Sequence, residues 1–116
     1  MTLADRRLGT AFTCQTHLDT GTDGVRLELA GELDLATVPV VREAIDAAES
    51  QAGEMVTVDL RGLTFMDSSG LHLLLHAEDR MTAVGLRLVI VQGNATIRRL
   101  FELTGTAKSL PFADTA

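Results

Sequence analysis

Between residues 64 and 75 the chain reads TFMDSSGLHLLL, which sets a carboxylate, two hydroxyls and a glycine (Asp67, Ser68, Ser69 and Gly70) where an apolar run gives way to a helical pattern. The first amides of a helix have no intrahelical partner, and Asp or Ser in front of them accepts their hydrogen bonds. Capping accounts for one carboxylate or hydroxyl and leaves the second serine unexplained. A hydroxyl in the first turn, beside glycine and on the polar face, is sterically open. A phosphate added there would meet free amides and the positive end of the helix dipole. The group is therefore suited to reversible serine phosphorylation.

Other chemistries lack their parts. The chain contains no G-x-S-x-G elbow, G-x-x-x-x-G-K-[ST] phosphate loop, H-E-x-x-H or cysteine pair, so the common nucleophile, nucleotide and zinc signatures are missing. His72 and His76 stand four apart on one helix face, but no third metal ligand accompanies them, and they read as two solvated histidines. His72 as a base for Ser69 lacks an orienting third group. Asp59, near the end of an apolar strand, could sit where a receiver-domain aspartate accepts phosphate. Neither the paired acids nor the lysine of such a site is present. No catalytic residue, metal or cofactor is assigned.

The elements that must hold this group follow from periodicity. AFTCQTHL puts Phe12, Cys14, Thr16 and Leu18 on one side of a strand, DTGTDG at 19–24 reads as a turn, and VRLELAGEL resumes the alternation, so the pair reads as an antiparallel hairpin. Thr37 is placed to cap a helix that tolerates Pro39, carries Val38, Val41, Ala44, Ile45 and Ala48 inward and stops at Gly53. MVTVDL at 55–60 and LRLVIV at 86–91 read as interior strands. Residues 68–84 form a helix with a broad apolar arc, and His72, His76, Asp79, Arg80 and Ser69 lie opposite it. A third helix begins at Asn94 and ends at Gly105. AKSLPF reads as a final short strand, and residues 1–9 as a flexible arm. The order implies an α/β fold: one domain with a mixed sheet of about five strands, an N-terminal antiparallel hairpin and three main helices.

With 116 residues the chain can bury a substantial core without disulfide or metal. Trp and Tyr are absent, so that core must be aliphatic. Nine Arg and one Lys against sixteen acids give a net charge of −6, which argues against a nucleic-acid surface or an anionic membrane and fits a partner with a basic patch. Cys14 cannot form an internal disulfide and reads as a buried apolar residue. MTLADRRLGT has no signal-peptide core, and no stretch approaches the length of a membrane span. The expectation is a cytoplasmic protein.

GELD at 31–34, VDLRGLTFMDSSGLHLLL at 58–75, RLVIVQGNATIRRLFELTG at 87–105 and LPF near the end together resemble the anti-sigma factor antagonists of the STAS-domain family. The resemblance covers residues 10–112, between the arm at 1–9 and a tail at 113–116. It implies a partner switch in transcription regulation, of the kind used in stress response or sporulation. The unphosphorylated antagonist captures an anti-sigma factor with serine kinase activity and frees a sigma factor. Phosphorylation of the serine just before the glycine, Ser69 here, ends that capture, and a PP2C-type phosphatase restores it. The implied partner-binding residues are Asp34, Asp67, Ser68, Ser69, Gly70 and His72. Within this set Asp67 and Ser68 are expected to serve the cap and turn, and Asp34 to lie near the serine and contact the kinase. Several relatives carry a further helix after the last strand, whereas this chain stops at PFADTA. The alternative within the fold is a STAS module that binds a small anion or lipid at the same helix start, or acts as a scaffold subunit.

Overall fold

Strand β2 (Phe12–Asp19) buries Phe12, Cys14 and Thr16, and β3 (Gly24–Leu33) buries Val25, Leu27, Leu29 and Leu33, the period-two pattern of strands with one covered face. The structure is a computed structural model and describes residues 2–9, 11–19 and 24–113. The two strands pair antiparallel from Thr13 opposite Ala30 to Asp19 opposite Gly24. The tip of the DTGTDG turn, 20–23, and the tail residues 114–116 lie outside the described residues.

β4 (Met55–Met66) runs parallel to β3, and β5 (Arg87–Val91) parallel to β4. Helices α1 (Val38–Gln51) and α2 (Ser68–Ala83) make the two crossovers, and α3 (Ala95–Leu103) follows β5. The crossovers step the same way across a sheet ordered β1-β2-β3-β4-β5, so the preferred right hand puts both helices on one face. Leu27, Val58 and Ile90 from the strands join Val41, Leu74, Ile97 and Phe101 from the helices in one buried cluster, so the core is aliphatic with two phenylalanines, Phe12 and Phe101, and not aliphatic alone. The opposite face is polar, with ion pairs from Arg26 to Asp19 and Glu28 and from Arg61 to Asp59.

Three sequence expectations need correction. The expected arm contains a strand: β1 (Thr2–Leu8) pairs antiparallel with β2, from Thr2 opposite His17 to Leu8 opposite Phe12. An edge strand takes its hydrogen bonds from a neighbour's backbone and tolerates charge, so TLADRRL shows no apolar alternation. AKSLPF is not a strand. Residues 107–109 turn, and only Phe112 makes an isolated parallel bridge, to Ile90, while its ring packs edge-on against Phe101 at 4.9 Å. β4 is twice its expected length, and its register against β3 slips after Asp59 and again after Leu63. Each slip inserts a residue, so the buried apolar positions run Val56, Val58, Leu60 and then Leu63, Met66, and the period of two is lost.

Cys14 has no exposed surface, and burial pushes its thiol up to about 11 despite the opposing charge of Arg6. Relative to the ordinary 9.0, the thiolate fraction falls about 100-fold. At pH 8 the native protein is expected to react with iodoacetamide at least about 100-fold more slowly than the denatured chain. Equal rates, followed by mass, would show the thiol to be open.

Candidate functional site

Leu33 and Met66 are register partners at the C-terminal ends of β3 and β4, and the Asp67 amide donates to the Leu33 carbonyl at 3.2 Å. The chain after each strand therefore emerges side by side: Asp34 and Leu35 from one, Asp67, Ser68 and Ser69 from the other.

Asp67 is extended (φ −106°, ψ −171°) and caps α2, with its Oδ1 accepting from the Ser69 amide at 2.8 Å and the Gly70 amide at 3.4 Å. Ser68 takes no part in this cap and is exposed; Ser69, next along, is half-buried. Among the described residues neither hydroxyl has a hydrogen-bond partner within the chain. Two expectations change. The cap belongs to Asp67 alone, so Ser68 is free of the role assigned to it. The amides that a bound phosphate was to meet at Ser69 and Gly70 are already held by a carboxylate, so a phosphate on either serine must displace Asp67 or project away from the helix.

Gly70 is buried because α2 starts against the strand ends. A Cβ on it would stand 2.6 Å from Met66 Cγ and 2.9 Å from Leu33 Cδ2 and Cγ. Both neighbours are side chains that yield in part, so Gly70→Ala is expected to destabilise the fold by about 1–2 kcal/mol after the helix-propensity gain of alanine. Urea unfolding checks this; an unchanged midpoint would mean that α2 tilts away freely.

Asp34 shapes the turn into α1. Its Oδ1 accepts from the amides of Ala36 at 3.0 Å and Thr37 at 3.2 Å, and its carbonyl accepts from Val38 at 2.9 Å. Thr37 occupies the N-cap position, where its carbonyl accepts from the Val40 amide at 3.0 Å, but its side chain accepts no hydrogen bond from the helix. Its hydroxyl donates to the Glu32 carbonyl at 2.8 Å and accepts from the Asp34 amide at 2.9 Å. The expected cap position holds, while the side-chain hydrogen bonding is made by Asp34 in the tight turn that precedes the helix. The carboxylate expected to contact a kinase is thus also the brace of its own loop. Leu35, in the middle of that turn, is 77% exposed, and the sequence reading passed over it.

His72 and His76 are exposed on α2, and no group of three or more metal-ligating side chains occurs among the described residues. Asp59 lies within β4, opposite Val91 and away from the ends at Leu33 and Met66. Burial would raise its carboxyl, but hydrogen bonds from the Arg61 side chain and amide, with the guanidinium charge, hold it below the usual 3.8. It is part of an ion pair on the polar sheet face. No helix among the described residues is long and apolar enough to cross a membrane.

Residues 16–111 match the family described as Mlab, STAS domain. The chain is 33% identical over 84 residues to an anti-sigma-B factor antagonist of Listeria monocytogenes, covering 72% of this chain and 74% of that protein. It is 39% identical over 83 residues to an anti-sigma F factor antagonist of Lysinibacillus sphaericus, covering 70% of each. Its structure superposes on that of the anti-sigma factor antagonist SpoIIAA in its unphosphorylated form with a TM-score of 0.70 and 28% identity, over 87% of this chain and 88% of the other. For the phosphorylated form of the Bacillus cell fate determinant SpoIIAA the TM-score is 0.64 and the identity 29%, over 87% and 91%. A five-stranded sheet with three helices, a capped helix start beside the GELD loop, and sequence likeness across most of the chain agree: this protein belongs to the anti-sigma factor antagonists of the STAS-domain family.

Proposed function

We propose that the unphosphorylated chain captures an anti-sigma factor that has serine kinase activity, so freeing a sigma factor, and that phosphate on the Ser68–Ser69 pair ends the capture until a PP2C-type phosphatase removes it. The chain itself acts as ligand and substrate, with no catalysis of its own, in the cytoplasm where sigma factors work. The observation that carries the reading is the open hydroxyl at the start of α2: Asp67 satisfies the amides, and Ser68 stands outside the cap, exposed. A kinase needs access to its acceptor oxygen and room for in-line transfer. The sequence reading puts the phosphate on Ser69. Exposure favours Ser68, and that residue is our proposed acceptor.

Incubation with the cognate anti-sigma kinase and ATP is expected to add one phosphate, seen by intact mass, with Ser68→Ala blocking it and Ser69→Ala sparing it. Phosphate that survives Ser68→Ala and disappears with Ser69→Ala returns the assignment to Ser69. No phosphate on any form removes the switch. Small-anion binding at the helix start is the weaker alternative, since the Ser69 and Gly70 amides it would use are taken by Asp67.

A further inference from the structure

We infer that Leu35 is the apolar anchor of the partner interface and that it inserts into an apolar pocket of the anti-sigma kinase flanked by Lys or Arg; this rests on the reading above. Single exposed leucines are ordinary on protein surfaces, and exposure alone points to nothing. Leu35 differs in three respects.

First, the turn that carries it is held from both sides. The Asp34 carboxylate takes the Ala36 and Thr37 amides, the Thr37 hydroxyl bridges the Glu32 carbonyl and the Asp34 amide, and the Asp34 carbonyl takes the Val38 amide. A leucine on a braced backbone loses little freedom when a partner covers it, which is the property of a preorganised contact. Second, Leu35 and Ser68 each lie two residues beyond the paired strand ends Leu33 and Met66. Neighbouring strands are about 4.8 Å apart, so the segments carrying Leu35 and Ser68 leave the sheet side by side. Third, the charged residues next to the two strand ends are acidic. Glu32, Asp34 and Asp67 flank the two strand ends, and the nearest basic residues in the chain are Arg42 and Arg61. Glu32 is exposed and Asp34 half-buried beside Leu35. An apolar centre with an acidic rim is complementary to an apolar pocket with a basic rim.

Phe65, the register partner of Glu32, shares this neighbourhood but is held in β4 and is less exposed, at 44%. Leu103, 72% exposed, is at the end of α3, and Val84 closes α2 at the opposite end from Ser68.

The test is calorimetric titration of the purified cognate anti-sigma kinase with four forms of the full chain: wild type, Leu35→Ala, Leu35→Met and Leu103→Ala. Leu35→Ala is expected to weaken binding at least tenfold, Leu35→Met to stay within about threefold, and Leu103→Ala to match wild type, all with unchanged melting. Wild-type binding with Leu35→Ala within twofold of it overturns the anchor and leaves the proposed function standing. Equal losses for Leu35→Ala and Leu103→Ala overturn it also, because the effect would not be local. Absence of wild-type binding overturns the proposed function and the anchor with it.

Discussion

Ser68→Glu is expected to bind the cognate anti-sigma kinase about 100-fold more weakly than wild type, with a melting temperature within about 3 °C of it. The size follows from geometry and charge. A serine that accepts phosphate from ATP must lie against the γ-phosphoryl group, so a negative charge fixed on it faces the remaining nucleotide phosphates of the partner. One like-charge pair at about 6 Å in an effective dielectric near 20 costs about 2.8 kcal/mol, or about 100-fold in affinity. A phosphate carries about 1.5 to 2 charges and is bulkier, so the true product should dissociate more completely than the glutamate variant. The amides at Ser69 and Gly70 are already held by Asp67, and those of Ala36 and Thr37 by Asp34, so they do not offset the added charge. The switch needs no refolding, which is why melting is expected to stay constant while affinity falls. Calorimetric dissociation constants within threefold of each other would remove the electrostatic mechanism. Ser69→Glu, on the half-buried neighbour, is the companion variant. If it weakens binding while Ser68→Glu does not, the acceptor is Ser69.

Much of the fold was readable because burial imposes periods. The helices at 38–51, 68–83 and 95–103 follow apolar residues at helical spacing, and Asn94 accepts from the Ile97 amide as the cap of α3. Where the sequence misled, a backbone effect had replaced the side-chain pattern. β1 is held by pairing to β2 and exposes most of its residues, so its sequence carries no stripe. The second half of β4 contains two inserted residues, which convert alternation into a spacing of three. The site divides in the same way. Asp67, Ser68, Ser69 and Gly70 stand out by residue type, but the ranking of the two hydroxyls does not, since both are in the first helical turn. That ranking depends on how α2 leans on Leu33 and Met66, a tertiary fact. Asp34 could be noticed only through resemblance, and Leu35 not at all: its meaning comes from a turn whose hydrogen bonds reach back to Glu32 and forward to Val38.

Gly31→Ala is expected to cost at least about 4 kcal/mol and to lower the melting temperature by roughly 15 °C or more. Two independent penalties fall on this position. Gly31 has φ +105°, which an L side chain rarely adopts, and a Cβ built there would stand 2.0 Å from the Ala11 carbonyl oxygen. The obstacle is backbone, so no rotamer change relieves it; β2 and β3 must separate where Phe12 and Leu33 are buried. The residue also sits at the second register slip between β3 and β4, between Gly31 opposite Leu63 and Glu32 opposite Phe65, which sets where the strand ends Leu33 and Met66 meet. Displacement of Gly31 would therefore move the Asp34 turn relative to Ser68, and the variant should lose kinase binding in whatever fraction stays folded. Gly85→Ala is the control for the dihedral alone. Gly85 has φ +80° with nothing within 4 Å of a built Cβ, so its replacement is expected to cost only about 1 kcal/mol. Thermal melts of the two variants by circular dichroism should then differ by about 10 °C or more. If Gly31→Ala melts with Gly85→Ala, the close approach of β2 to β3 at Ala11 is not a constraint on the fold, and the GELD glycine needs another explanation.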